Sequence, residues 1–228
     1  MRIDVLTLFP NAFSSIDISL MKKAKDNNMV NINYIDFRKF STFKNKNVDD
    51  TPCGGGAGQV ICVQPVVDCL RSIPNYEKAY KIITAPRGST YNQNKCVSLS
   101  KYEHIIILCG RYDGFDERIY DYFDESISIG NFILSGGELV ACVIIDSVVR
   151  LINGVIGNSV SLVNESFEND LLSHPIYTRP IDFEGKNVPK ILLSGNHEKI
   201  NEYRKQQAKI LTMKHRKDLL KLWKNCYY

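Results

Sequence analysis

Three short, almost continuous apolar runs, each followed by a loop that contains glycine, constrain the fold of this chain more than any other feature. They occupy residues 81–85, 104–109 and 127–134. Strands that are apolar along their whole length are buried on both faces, as in parallel sheets covered by helices. The pattern therefore predicts an α/β fold built on a parallel sheet.

Other apolar patterns add elements around this sheet. Residues 3–9 and 31–37 predict two further strands, and residues 12–27, which follow Pro10, predict a helix. Residues 65–73 predict another helix, because Pro65 suits a first turn. Residues 138–152 are apolar nearly all round, which predicts a helix buried in the core or at a subunit interface.

The composition changes after Gly157. Residues 1–157 form the predicted α/β domain, whereas residues 158–172 are polar and predict a flexible linker. Residues 173–228 contain three prolines and then two helical patterns, the first capped by Asn196. We therefore expect a small helical domain at the carboxyl end of the chain.

Charge is divided unevenly between these parts. Residues 186–228 contain 11 Lys and Arg against 3 Asp and Glu, a net charge of +8, which leaves a net charge of −4 for the first 185 residues. A basic end beside an acidic body is typical of proteins that bind a polyanion. A solvated basic helix without a partner explains the charge equally well.

The chain shows no sign of export or of a metal centre. Its apolar runs fall short of the roughly 18 residues that a membrane span requires, and the run after Met1 is too short and too charged for a signal peptide. The seven cysteines are scattered without a C-x-x-C pair, and the four histidines show no paired spacing. We therefore expect a cytoplasmic protein without disulfides or structural zinc.

Glycine-rich loops offer the candidate ligand sites. Neither the dinucleotide-binding nor the P-loop pattern of glycines occurs. Ligands in open α/β sheets bind at the carboxyl ends of the strands, where residues 86–88, 110–114 and 129–137 are expected. Taken singly, each loop is explained by turn geometry, so these features indicate only an α/β protein with an end that faces nucleic acid.

Ordered motifs along the chain are more specific. They are Val48-Asp49-Asp50-x-Pro52-x-Gly54-Gly55-Gly56-x-Gly58, Cys109-Gly110-Arg111-Tyr112, Ser128-Ile129-Gly130, Leu134-Ser135-Gly136-Gly137-Glu138 and Tyr177-Thr178-Arg179-Pro180. In this order, over about residues 1–211, they resemble the bacterial tRNA (guanine-N1)-methyltransferases of the SPOUT superfamily, the TrmD family. The resemblance implies a deep trefoil knot, a homodimer with active sites at the interface, and methylation of guanosine at tRNA position 37 when another guanosine precedes it.

The resemblance also assigns site residues. The knot loops would hold S-adenosylmethionine through Thr84, Pro86, Gly88, Gly110, Tyr112, Asp113, Ser128, Ile129, Gly130, Asn131, Phe132, Ile133, Leu134, Gly136 and Gly137. The guanosine pair would be approached by Asp49, Asp50 and Gly58. The family needs Mg²⁺, whose ligands are not assigned here, and the basic domain would contact tRNA phosphates.

Two residues match the catalytic positions of the family. Glu165 would remove the N1 proton of guanine, and Arg150 would stabilise the charge that develops on O6. This chain departs from the family by having Glu165 where Asp is usual, Asp113 where Glu is usual and Phe132 where Tyr is common. The departures at Glu165 and Asp113 motivate an alternative, a non-catalytic RNA-binding SPOUT homologue, and a third possibility is methylation of another RNA.

Overall fold

A computed structural model of the chain describes residues 1–157 and 165–224. Its contacts divide the chain into two units, Met1–Gly157 and Asn158–Tyr228, called here the first unit and the second unit. The predicted linker falls partly outside the described residues, since residues 158–164 are not among them.

A parallel sheet forms the centre of the first unit. The strands of this unit are β1 (Arg2–Thr7), β2 (Asn31–Asp36), β3 (Asp49–Asp50), β4 (Val60–Ile61), β5 (Tyr80–Thr90), β6 (His104–Cys109) and β7 (Glu125–Ser128). Five of them form one sheet in the order β2-β1-β6-β5-β7, and every pair in it is parallel. The predicted parallel sheet is confirmed.

Helices cover both faces of this sheet. They are α1 (Ser19–Asp26), α2 (Val63–Arg71), α3 (Gln93–Leu99) and α4 (Glu138–Val149). Because side chains alternate along a strand, Ile105 and Ile107 of β6 join one core with α1, α3 and α4, whereas Ile106 and Leu108 join a second core with α2. Burial on both faces explains why the strand sequences are apolar throughout.

Helix α4 is buried except along one side. Most of its residues lie in the core, but Leu139 and Val143, one helical turn apart, are exposed. The helix predicted over 138–152 is therefore present and ends at Val149.

Two predicted elements are shorter or more broken than their sequences indicate. The helix predicted over 12–27 is a 3₁₀ helix, Pro10–Ile16, followed by α1, with Ser19 at a positive φ of 46°. The apolar run 127–134 is a strand only as far as Ser128, whose hydroxyl donates to the Gly130 carbonyl in a tight turn at 3.1 Å. Local hydrogen bonds thus end the strand although the apolar sequence continues.

The second unit begins with irregular chain. It contains a 3₁₀ helix (Glu168–Asp170), the two-stranded ladder of β8 (Asp182–Phe183) with β9 (Lys186–Asn187), and a second 3₁₀ helix (Lys190–Leu193). Helices α5 (His197–His215) and α6 (Lys217–Lys224) follow. The predicted cap of α5 is confirmed, since Asn196 Oδ1 accepts a hydrogen bond from the Lys199 amide at 3.1 Å.

Residues that directly follow Glu165 are bonded into this second unit. Ser166 Oγ accepts a hydrogen bond from the Ser173 amide at 3.0 Å, which closes the loop between them. The Leu172 amide donates to Thr212 Oγ1 of α5 at 2.9 Å, and Thr212 is fully buried. This part of the predicted linker is therefore attached to α5.

Among the residues that the structure describes, no helix is long and apolar enough to cross a bilayer. The six cysteines among these residues are all free thiols.

Candidate active site

A cavity of about 550 Å³ opens at the carboxyl ends of β5, β6 and β7 in the first unit. Residues 84–87, 110–115 and 127–137 supply most of its lining. These segments are the three glycine-bearing loops, brought together because the three parallel strands are neighbours in the sheet.

Thirteen of the fifteen residues assigned to the cofactor line this cavity. The other two, Gly88 and Asn131, do not. Gly88 instead lies against β7, since a Cβ at this position would be 2.4 Å from the Ile127 amide nitrogen. It adjoins a register shift at which residues 85–88 leave the β5–β7 ladder, so Gly88 allows the bulge that forms one wall.

Glycine is required where the loops meet. A Cβ on Gly137 would lie 2.0 Å from Thr84 Oγ1 and 2.7 Å from the Gly110 nitrogen. The Gly137 amide donates to the Gly110 carbonyl at 2.8 Å, and the Gly110 amide donates to Thr84 Oγ1 at 3.3 Å. The second and third loops therefore touch through backbone and pack on the Thr84 hydroxyl, and a side chain larger than hydrogen at Gly137 does not fit between them.

A buried carboxylate holds the start of α4 beside the cavity. Glu138, only 3% exposed, accepts hydrogen bonds from Thr7 Oγ1 and from Arg111 Nε, each at 3.0 Å. Arg111 also donates to the Ser135 carbonyl at 3.1 Å, and its guanidinium lies 4.4 Å from the centre of the Phe9 ring. Glu138 thus links β1, the second loop and the third loop.

Sequence reasoning missed a cluster on another wall. Arg87 stacks on Tyr120, with 3.3 Å between the guanidinium carbon and the ring centre, and pairs with both oxygens of Glu117 at 2.8–2.9 Å. All three residues line the cavity. Arg87 lies within the first assigned loop, and Glu117 lies shortly after the second. Their closeness in sequence to these loops was the only signal that could have identified them.

The predicted substrate loop adjoins the second cofactor loop. A Cβ on Gly58 would lie 1.3 Å from Asp113 Oδ2, so the Asp113 carboxylate packs directly on this glycine. The Asp113 amide donates to the Gln59 carbonyl at 3.0 Å, and the Asp49 charge lies close enough to Tyr112 to raise its pKa. Gly58 therefore lies against the second cofactor loop, Asp49 lies near Tyr112 of that loop, and Asp50 follows Asp49 in β3.

The two predicted catalytic residues lie in different units. Arg150 is the C-cap of α4 in the first unit. Glu165 is half-buried in the second unit, directly before the closed loop at Ser166. Arg150 therefore lies at the end of α4 in the first unit. Glu165 lies at the start of a segment that is hydrogen-bonded to α5 in the second unit.

One thiol and one phenol near the cavity, those of Cys109 and Tyr112, favour their neutral forms. Burial, with the nearby Glu138 charge, raises the pKa of the Cys109 thiol well above its usual value. Burial, with the Asp49 charge and hydrogen bond, raises the pKa of Tyr112. Neither residue is ionised near neutral pH, so neither supplies a ready nucleophile or base.

The described residues include no cluster of three or more His, Cys, Asp or Glu side chains that could hold a metal ion. Mg²⁺ normally takes several oxygen ligands in octahedral geometry, often from substrate and water. These residues therefore do not form a protein cage for Mg²⁺, and no chemical step is assigned to the metal here.

Comparisons with known proteins identify similar sequences. The family model described as tRNA (Guanine-1)-methyltransferase TrmD matches residues 1–222. A tRNA (guanine-N(1)-)-methyltransferase of Clostridium botulinum strain Hall is 48% identical over 224 residues, covering 98% of this chain and 93% of the relative. Enzymes of the same name from Lactobacillus delbrueckii subsp. bulgaricus and Clostridium tetani are 49% and 50% identical, covering 96% of this chain and 89% and 92% of their own lengths.

Proposed function

The chain belongs to the tRNA (guanine-1)-methyltransferase family, TrmD, and we propose that it methylates N1 of guanosine at tRNA position 37 when another guanosine precedes it. The family shows an enzyme that transfers a methyl group from S-adenosylmethionine to guanine N1 in tRNA. The observation that carries the proposal is the cavity where the family's three loop motifs converge.

S-adenosylmethionine would occupy that cavity. Its volume of about 550 Å³ lies in the range of sites for small molecules. The Gly110 and Gly137 backbones, packed on the Thr84 hydroxyl, give a wall with exposed backbone groups, which suits recognition of a flat adenine edge. When bound, this molecule supplies an electrophilic methyl group on a sulfonium.

Two residues would carry the chemistry on guanine. N1 bears a proton and becomes nucleophilic only when a base removes it, and Glu165 would accept this proton. The N1 lone pair then forms the new N–C bond while the C–S electrons return to sulfur. Arg150 would stabilise the negative charge that develops on O6.

The assembly follows as a further part of the proposal. We propose a homodimer with its active sites at the interface and a trefoil knot within the first unit. Exposure of four large apolar side chains, Phe132, Ile133, Leu139 and Val143, supports a covered surface there. The tight backbone contact of Gly137 with Gly110 supports a threaded third loop.

The remaining roles are divided along the chain. Residues 1–157 would form the methyltransferase domain, residues 158–172 the interdomain linker and residues 173–228 the tRNA-binding domain. A net charge of +8 over residues 186–228 supports phosphate contacts. We place the enzyme in the cytoplasm with its substrate, since the free cysteines suit a reducing compartment, and Mg²⁺ dependence remains a prediction.

Methyl transfer tests this proposal. The protein should label a tRNA transcript with guanosines at the last anticodon position and position 37, but not a transcript with adenosine at position 37. Glu165→Ala and Arg150→Ala should each lower kcat by roughly 100-fold or more, whereas Glu165→Asp retains the carboxylate and most activity. Full activity in both alanine variants would reject the mechanism.

The same assay separates the alternatives. Tight tRNA binding without any turnover would favour a non-catalytic RNA-binding homologue. Turnover on ribosomal RNA in place of tRNA would favour a methyltransferase with another target.

A further inference from the structure

The second unit contains a pocket of about 510 Å³ that the proposed chemistry does not use. Residues 174–179, 181, 188, 192, 193 and 204 line it. They come from the irregular segment before β8, the residue after β9, the 3₁₀ helix Lys190–Leu193 and α5. We call it the second-unit pocket.

Short-range hydrogen bonds shape the apolar part of this pocket. The Val188 amide donates to the Ile181 carbonyl at 2.8 Å and closes the hairpin, and the Leu192 amide donates to the Pro189 carbonyl at 2.9 Å. Ile181, Val188 and Leu192 all line the pocket. An apolar lining is therefore held by backbone bonds rather than by a deep core.

The polar part of the lining is cationic. Its charged side chains are Arg179 and Arg204, and it includes no Asp or Glu. Both arginine side chains are exposed, and neither guanidinium makes an ion pair or hydrogen bond with another residue of the described chain. Two arginines without a carboxylate partner favour an anionic ligand with several acceptor oxygens.

An aromatic ring stands beside these charges. Tyr177 lines the pocket and is 44% exposed, so part of its ring is open to a ligand. Burial, together with the neighbouring Tyr177, raises the pKa of Tyr203 of α5, so the two side chains lie close to each other.

An apolar lining, a partly exposed aromatic ring and two guanidinium groups without a partner among the described residues together match a nucleotide. Its base has a planar apolar face that stacks on aromatic rings, and its phosphate accepts hydrogen bonds from arginine. We propose that the second-unit pocket binds one nucleotide of the tRNA, with the base against Tyr177 and the phosphate against Arg179 and Arg204. The choice of tRNA as its source rests on the proposed function.

The test compares two double variants of the full chain that lose the same charge. The first double variant, Arg179→Ala with Arg204→Ala, removes both guanidinium groups from the pocket. Lys186→Ala with Lys205→Ala removes two exposed lysines of the same unit, neither of which lines the pocket. All four side chains are exposed, and thermal unfolding checks that both proteins fold.

Binding of the tRNA transcript is measured by fluorescence anisotropy at three salt concentrations, without S-adenosylmethionine. We expect the double arginine variant to bind tRNA roughly 100-fold more weakly, because charge-assisted hydrogen bonds are lost. The slope of log affinity against log salt concentration should fall in magnitude by about 2. The lysine pair should weaken tRNA binding less than about tenfold. Equal losses in the two double variants would overturn the proposal.

Two further measurements test the ligand class. Tyr177→Leu should weaken tRNA binding severalfold without changing the salt slope, because a stacking surface is lost. Free guanosine monophosphate is the second probe. Arginine-dependent binding of this mononucleotide with unchanged tRNA affinity would overturn the proposal in favour of a small-molecule site.

The outcomes also separate this inference from the proposed function. Methyl transfer by the wild-type chain together with equal behaviour of the two double variants would reject the pocket and keep the methyltransferase. Arginine-dependent tRNA binding without methyl transfer would keep the pocket and reject the activity. For an active enzyme, the arginine pair should raise KM for tRNA while the affinity for S-adenosylmethionine stays unchanged.

Discussion

The cavity of the first unit and the pocket of the second unit are similar in size but are built in opposite ways. Glycines and backbone form the meeting point of the cavity loops, where Gly137, Gly110 and Thr84 are in direct contact. Exposed side chains, including Arg179, Arg204 and Tyr177, form much of the pocket. Close backbone contacts leave no room for added side-chain atoms, so the shape of the first site is fixed. Long exposed side chains can move, so the second site depends on charge and can adjust to an extended polymer.

The largest expected effect tests the backbone contact in the cavity. Gly137→Ala places a methyl group 2.0 Å from Thr84 Oγ1 and 2.7 Å from the Gly110 nitrogen, so the loops must separate. We expect a loss of roughly 3 kcal/mol or more in unfolding free energy, at the upper end for overpacking, measured by urea denaturation. Affinity for S-adenosylmethionine should fall in parallel in calorimetry.

Gly157→Ala is the matched control for this substitution. A Cβ on Gly157 meets no atom within 4 Å, so stability should stay within about 0.5 kcal/mol of wild type. If Gly137→Ala were as harmless as this control, the cavity would not be a backbone-defined site.

An intermediate effect is expected at Glu138, the buried carboxylate beside the cavity. Glu138→Ala leaves Arg111 and the Thr7 hydroxyl without their carboxylate. We expect a loss of about 2–3 kcal/mol, below the usual cost of breaking a buried ion pair because Arg111 is partly exposed. Urea denaturation measures it.

Two substitutions sharpen the interpretation of that loss. Glu138→Gln keeps hydrogen-bonding atoms and should lose less stability than Glu138→Ala. Glu77→Ala, at an exposed position, should change stability by no more than about 0.5 kcal/mol. A cost at Glu138 no greater than that at Glu77 would mean that the Thr7–Glu138–Arg111 link does not hold the loops.

The smallest expected effect concerns the second unit. Thr212→Val removes the hydroxyl that accepts the Leu172 amide, at a cost of about 1–2 kcal/mol. Hydrogen exchange at the Leu172 amide should become faster, and kcat should fall while affinity for S-adenosylmethionine is unchanged, because this bond anchors the segment after Glu165. Thr212→Ser retains the hydroxyl and should behave as wild type; equal exchange rates in both variants would contradict the anchoring role.

Much of the fold could be predicted because its signals are local. The apolar runs at 81–85 and 104–109 are strands of the parallel sheet, and Asn196 caps α5 as predicted. The run 127–134 misled because an apolar sequence does not distinguish a strand from a loop that lines an apolar cavity. The single helix predicted over 12–27 was wrong, because the local break at Ser19 leaves no signal in the apolar periodicity.

The candidate site was predictable where the loop motifs carry it. Thirteen assigned cofactor residues line one cavity, whereas Arg87, Glu117 and Tyr120 on its wall were missed. A stacked arginine paired with a carboxylate depends on the spatial approach of separate elements, and no sequence period reports such a contact.

By itself, the sequence determined the class of fold, the position of the glycine-bearing loops and the basic end, since apolar periodicity, glycine and charge act through nearest neighbours along the chain. Only the tertiary structure decided which distant groups meet. The contacts of Thr84 with Gly110 and Gly137, of Thr7 with Glu138, and of Leu172 with Thr212 each join residues far apart in the chain. Such contacts depend on the order of strands in the sheet and on the packing of helices, which are set by the folded chain as a whole.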